Sequence, residues 1–326
     1  MAMQEPKSAK HAENLLQKCG LYSVTLDLPF RLDHVNCFMA EGSDGWTVID
    51  AGLHNEETLA RWKKELAGRE VAEILVTHYH PDHYGFAGRL QEWTGARVRM
   101  SRTDANLGLQ AWRPEFIKKL QDNYILAGIP GEMGRRMANN TENFIPRVTP
   151  YPKVTDFLEE GEKLAIGPHD YEVIFTPGHS DGLVTFFNRE ENILLSTDHI
   201  LPKITPNISY WFHGNPDPLK SYLDSLKKIK RLDAELVVPS HGLPFYGANE
   251  RIDEIQKHHG KRLEETLESI SCGATVYQAC LKLFRKDLTI HEIRFAIGET
   301  LSHLEYLRYQ GECQREWKNG SYWYYV

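Results

Sequence analysis

The chain has 326 residues, 41% hydrophobic and 25% charged, a composition that allows a sizeable core and excludes wholesale disorder. Its formal net charge of −7 argues against a protein that coats nucleic acid over its whole surface. No run approaches the roughly 18–20 apolar residues of a membrane span, so no membrane partner is expected.

The polar N-terminus lacks the apolar stretch of a secretion signal. Cys19, Cys37, Cys272, Cys280 and Cys313 are scattered, with no C-x-x-C pair. Both features predict a cytoplasmic protein with free thiols. The length predicts about two domains.

In chain order, GLYSVTLDLPF, NCFMAEG and WTVIDAG are β-prone runs bounded by Gly, Asp and Asn. A helix-prone stretch over residues 56–66 follows, then a buried strand ending in Ile74-Leu75-Val76. A second helix is predicted over 83–93 and a strand at ARVRMS. This alternation predicts an α/β layered fold.

Residues 104–150 turn helical between two strand-rich blocks and read as an inserted cap. Trp112, Phe116, Leu120, Tyr124 and Ile125 are spaced as one apolar helix face. Most of that face is expected to pack on the core, with its edge over a pocket. Strands return at YEVIFTPG, LVTFFNR and ILLSTD, followed by a helix over 218–231 and the strand ELVVPSHG. A long charged helix is predicted over 249–270. Two helical segments and a hairpin at Asn319-Gly320 then suggest a small winged-helix-like domain. The expected division is a catalytic domain over 1–250 and a linker helix with the small domain over 251–326.

The chemistry concentrates in THYHPDH, residues 77–83. Side chains two apart in an extended chain point the same way, so His78 and His80 can face one ion. Pro81 suits a helix start, which leaves Asp82 and His83 at the turn. Burying four such groups without partners is costly, and a metal cluster explains them. Imidazole and carboxylate suit zinc, and also iron or manganese. Three further loops follow strands: TPGHS with His179, STDH with Asp198, and PSHG with His241.

With Asp50 in VIDAG, these motifs resemble the metallo-β-lactamase superfamily over about residues 20–245. The resemblance implies a four-layer αβ/βα sandwich with a binuclear site between two sheets. It assigns His78, His80 and His179 to one metal and Asp82, His83 and His241 to the second, with Asp198 bridging. Asp50 would orient the metal-bound imidazoles. His199, beside Asp198, is expected to support it from behind. Tyr210 and His213, in a loop with Trp211 and Phe212, are candidates to meet the substrate.

Two divalent ions that share a water lower its pKa and present hydroxide near neutral pH. A substrate oxygen on one ion would then be stabilised as it becomes an oxyanion. The branch implied is that of aspartate-bridged hydrolases, since secreted β-lactamases lack a bridging aspartate and flavodiiron proteins replace the second histidine. The favoured reaction is hydrolysis of a carbonyl ester, thioester or lactone. The alternatives are a metal-dependent RNA or DNA endonuclease and a mononuclear-iron sulfur dioxygenase. The C-terminal segment also resembles the appendage of human lactamase-like endoribonucleases. Its nine basic and nine acidic residues over 261–326 cancel, however, and phosphate binding needs clustered cations. A lid, packing or homodimer role is expected there instead.

Overall fold

The computed structural model describes residues 9–284 and 287–326. The eight residues before them, part of the segment read as lacking a secretion signal, lie outside the described residues, as do Arg285 and Lys286. Helix α1 (Ala9–Lys18) leads into the first sheet. Its strands follow chain order: β1 (Tyr22–Asp27), β2 (His34–Gly42), β3 (Gly45–Ile49), β4 (Val71–Leu75), β5 (Arg97–Ser101) and β6 (Val154–Leu158). The first three pair antiparallel through short turns. The pairs from β3 onward are parallel and need crossovers. These are α2 (Glu56–Glu65), then α3 (Pro81–Tyr84) with α4 (Ala87–Thr94), then α5 (Arg102–Ala111), α6 (Pro114–Leu126) and α7 (Gly131–Glu142).

The second sheet contains β7 (Lys163–Ile166), β8 (His169–Phe175), β9 (Val184–Asn188), β10 (Ile193–Thr197), β11 (Leu236–Pro239) and β12 (Phe245–Tyr246), ordered β12-β11-β10-β9-β8-β7. Its one parallel pair, β10 with β11, is bridged by α8 (Pro218–Lys230).

Why the sheets stack is written in their alternation. In β2, Val35, Cys37 and Met39 pack with Trp62 and Leu90 of the helices, while Phe38 and Ala40 face the other sheet. In β10, Ile193 and Leu195 join that inter-sheet core, while Leu194 packs with Leu219 and Leu226 of α8. Strands buried on both faces read as continuous apolar runs. The result is the four-layer αβ/βα sandwich.

Helix α9 (Ala248–Ile270) serves two cores, with Ile252 and Ile255 against the second sheet and Ile270 in the C-terminal cluster. The expected division at residue 250 falls in its first turn. Beyond it come β13 (Ala274–Thr275), α10 (Val276–Leu283), α11 (Ile290–Gln310), β14 (Gln314–Lys318) and β15 (Ser321–Tyr325). Capping boxes at Thr275/Gln278 and Thr289/Glu292 start both helices. The hairpin turns at Asn319-Gly320, both with positive φ, as that dipeptide predicts. Tyr324 donates to the Glu305 carboxylate, which also holds Arg308 and Arg315, and this fastens the hairpin to α11.

Two sequence expectations need correction, and three elements were not anticipated. Sequence patterning assigns no element before Tyr22, where α1 buries Leu16 in the inter-sheet core. The single helix expected over 83–93 is two, α3 and α4, broken at Gly85-Phe86. Strands β6 and β7 escape sequence patterning, because both are short and half-polar. The apolar stripe of the cap is interrupted at Arg113-Pro114, where proline starts α6, so Trp112 belongs to the end of α5. Ile125 is exposed, whereas Leu120 and Tyr124 pack with Ile297, Leu304 and Tyr324 of the C-terminal domain.

Candidate functional site

Strand ends carry the polar cluster. Strand β4 delivers His78 and His80, α3 delivers Asp82 and His83, and the loops after β8, β10 and β11 deliver His179, Asp198 and His241. Backbone strain appears where two of these strands end. Asp50, after β3, has φ 60°, and Thr197, before Asp198, has φ 49°, a costly value for a β-branched residue. Gly178 (φ 144°) precedes His179, and a Cβ there would lie 2.4 Å from the Cβ of Tyr222. Only glycine lets this loop sit so close to α8.

The seven residues converge in three overlapping groups: His78, His80 and His179; His78, His83 and Asp198; Asp82, His83 and His241. The hydrogen bonds explain which ring atoms face inward. His83 Nδ1 pairs with Asp50 Oδ2 at 2.7 Å. His179 Nδ1 donates to the Asn207 carbonyl at 2.8 Å, and His241 Nδ1 to the His34 carbonyl at 2.6 Å. Thr77 gives its hydroxyl proton to Asp50 Oδ2 and its N–H to Oδ1, so it accepts from His78 Nδ1 at 3.0 Å. Four imidazoles thus spend their single N–H on fixed acceptors, and their Nε2 lone pairs point at one another.

The consequence is a knot of unpaired acceptors. His78 Nε2, His83 Nε2, His241 Nε2 and Asp198 Oδ1 are buried without a hydrogen-bond partner. Nε2 of His179 lies 2.9 Å from His80 Nδ1 and 3.3 Å from Asp198 Oδ2. Asp198 Oδ1 is 3.5 Å from His83 Nε2, and its Oδ2 is 3.3 Å from His241 Nε2. Asp82 Oδ2 reaches the same two histidines at 3.7 and 3.6 Å. Such an arrangement is costly unless cations fill it, so the donor set fits divalent metal ions.

The electrostatics agree. Burial, reinforced by neighbouring histidines, holds His78 and His80 well below the usual imidazole range, in the neutral form a metal needs. Burial also opposes charge on His83, but Asp198, Asp50 and Asp82 outweigh it and lift that ring well above the range, so these carboxylates call for a positive charge at Nε2 that a metal ion would supply in place of a proton. Asp198 is held well below the usual carboxylate range despite burial, by His241 and His83.

Beside the cluster lies a cavity of about 450 Å³. Its floor includes His80, Asp82, His179 and Asp198; its walls come from the cap, residues 201–213 and the start of α11. Trp211 sets its ring 5.8 Å from that of His80, and Phe295 of α11 lies 5.6 Å from Trp211. His291, Phe30 and Phe144 form a triangle of near-parallel rings, with His291 4.8 Å from Phe30 and 5.4 Å from Phe144. His213 lies here too: its Nδ1 donates to the Trp211 carbonyl, and Nε2 is 3.4 Å from the Tyr79 hydroxyl.

Two further expected residues lie apart from the metal cluster, one on the cavity wall and one in the core. Tyr210 lines the cavity, but burial and then Glu305 push its phenol upward, with Arg315 and Arg308 opposing. Those charges all belong to α11 and the terminal hairpin, and the Tyr210 N–H donates to the Gly298 carbonyl of α11 at 3.0 Å. His199 is fully buried, with its ring against Tyr222 at 5.3 Å and no hydrogen bond to a cluster residue. Residues 198 and 199 diverge because the chain turns at the end of β10.

Residues not anticipated complete the support. Asp104 of α5 accepts from the Tyr79 N–H, the Ser180 hydroxyl and the Gly182 N–H, which ties the two histidine loops together. Asn207, whose carbonyl holds His179, donates its own amide to Glu299 of α11 at 3.1 Å. A Cβ at Gly298 would sit 2.6 Å from Ser209 Oγ, so the helix approaches this loop only through glycine. No local pattern marks Asp104 or Glu299, since each acts across a long separation in the chain.

Comparison with known proteins agrees with this architecture. The metallo-beta-lactamase superfamily profile matches residues 30–241, and the chain belongs to that superfamily. A second family, the metallo-beta-lactamase-like C-terminal domain, matches residues 263–326. A metallo-beta-lactamase family protein from Thermus thermophilus superposes with a TM-score of 0.83 at 32% identity, over 94% of this chain and 98% of that one. A beta-lactamase domain protein from Burkholderia ambifaria gives 0.83 at 31% identity, over 94% and 92%. A probable metallo-hydrolase of Bacillus subtilis (strain 168) is 23% identical over 93% of this chain and 96% of its own length. The protein is accordingly a metallo-hydrolase.

Proposed function

We propose that the protein holds two divalent metal ions, zinc by preference, and hydrolyses a carbonyl ester, thioester or lactone with a large apolar acyl part. The observation that carries this reading is the cavity, whose walls are chiefly aromatic and aliphatic and whose floor is the histidine–aspartate cluster. A phosphodiester backbone needs a basic groove, and an apolar chamber favours acyl chains instead.

His78, His80 and His179 would hold one ion, Asp82, His83 and His241 the other, with Asp198 between them. When bound, such ions activate a water and polarise the substrate oxygen. The remaining work belongs to the chain. Asp50, Asn207 and the His34 carbonyl fix the tautomers and ring planes, so the ligands need not reorganise. Trp211 shields His80 from solvent and forms a flat wall for the acyl group. His213, neutral because burial holds its imidazole below the usual range, spends its N–H on the Trp211 carbonyl and turns its Nε2 acceptor to the Tyr79 hydroxyl, so it would orient that phenol on the cavity wall rather than donate to the substrate carbonyl. In the C-terminal domain, which we read as winged-helix-like, α11 closes the cavity.

A substrate panel with metal analysis tests this. About two ions per chain and turnover of long-chain thioesters, esters or lactones are expected. A single bound iron would favour dioxygenase chemistry. Salt-sensitive cleavage of an RNA oligonucleotide without acyl hydrolysis would replace this reading with a nuclease.

A further inference from the structure

Charge in the cavity wall is unevenly matched. Glu292 uses Oε2 in its capping box with Thr289, and Oε1 lies 3.8 Å from Arg31. Arg294, close by on α11, has no such partner. Its Nη1 donates to the neutral Asn140 Oδ1 at 3.0 Å, and its Nε is buried without an acceptor. Among the described residues no carboxylate pairs with it. It nevertheless lines the same cavity as Phe295, His291 and the metal cluster. The guanidinium is half-buried and lies 6.0 Å from the Phe295 ring, a weak cation–π contact that leaves its hydrogen-bonding fork unmatched, and a planar carboxylate is the natural complement of that fork.

We infer that Arg294 is an anion-recognition residue: the acyl group that enters the cavity carries a distal carboxylate. This rests on the acyl-hydrolase reading and deepens it to the class of ω-carboxylated acyl substrates. The reactive carbonyl sits over the histidine–aspartate floor, the chain crosses the aromatic walls, and the carboxylate ends at α11. The C-terminal domain then selects substrate by charge as well as by shape.

The test is calorimetric binding of hydrolysis products to the metal-loaded protein, with straight-chain dicarboxylates of about six to twelve carbons against monocarboxylates of equal length. The best dicarboxylate is expected to bind about tenfold more tightly, beyond the about twofold advantage of having two equivalent ends. Arg294→Gln should abolish the difference and leave monocarboxylate binding unchanged. Arg294→Lys should retain part of it. Asn140→Ala, which removes the guanidinium's protein acceptor, should preserve it. Equal binding of both series by the unmodified protein, or a preference that survives Arg294→Gln, overturns the inference. Turnover is scored separately: a dicarboxylate preference without hydrolysis of any ester or thioester sinks the hydrolase reading and leaves the anion site standing.

Discussion

The floor and the roof of the cavity are built in opposite ways. The floor comes from short motifs at strand ends, each a few residues long, whose side chains are aimed by local backbone and fixed acceptors. The roof comes from α6, α7, residues 201–213 and α11, brought together by one apolar cluster that joins cap and C-terminal domain. Metal chemistry needs ligands held within tenths of an ångström, which strand ends supply. Substrate choice needs a variable surface, which packed helices supply at little risk to the floor.

The strongest way to break this contrast is Asp198→Ala, which removes the carboxylate shared by both groups of histidines. We expect loss of at least one ion by elemental analysis and a fall in turnover of at least about a hundredfold. Retained metal and rate would mean the cluster is not the reacting centre. Glu299→Ala probes the seam, because it acts on His179 only through Asn207. Metal should be stripped by a chelator about tenfold faster, with the fold intact by circular dichroism. If chelation is unaffected, roof and floor are energetically independent.

Phe295→Ala touches the roof alone. KM for a long-chain acyl substrate should rise about tenfold while kcat and metal content stay near their original values. A matching fall in kcat would show that the wall also orients the reacting group.

The smallest effect concerns pH. Burial holds the His303 imidazole at about 4, below its usual 6.5. Its Nδ1 donates to the Glu299 carbonyl, and its Nε2 faces His259 Nδ1 at 3.2 Å. Between about pH 4 and 6.5 the unfolded chain binds more protons at this site than the folded one, so stability falls as pH drops through that window. His303→Gln should flatten the decline in melting temperature between about pH 7 and 5. An unchanged slope would place the acid sensitivity elsewhere.

Short-range patterns in the sequence determined a layered α/β alternation and the motif residues of the cluster, while the four-layer sandwich was what the resemblance of those motifs to metallo-β-lactamases implied. Alternation in a buried strand fixes which faces are apolar, and a histidine two residues from another on an extended chain shares its side. The Asn-Gly hairpin and the helix after Asp217 were legible for the same reason. What lies behind or above the cluster was not. Adjacency to Asp198 suggested His199, but a turn at the strand end sent that ring into the α8 core. Tyr210 and His213 looked alike in the sequence, yet His213 meets the histidine motif at the Tyr79 hydroxyl while the Tyr210 backbone is bonded to α11. Asp104, Asn207 and Glu299 reach the histidine loops from distant positions in the chain. Only the packing of α5 and α11 against those loops decides their roles, since a hydrogen bond across such a separation leaves no periodicity or spacing to read.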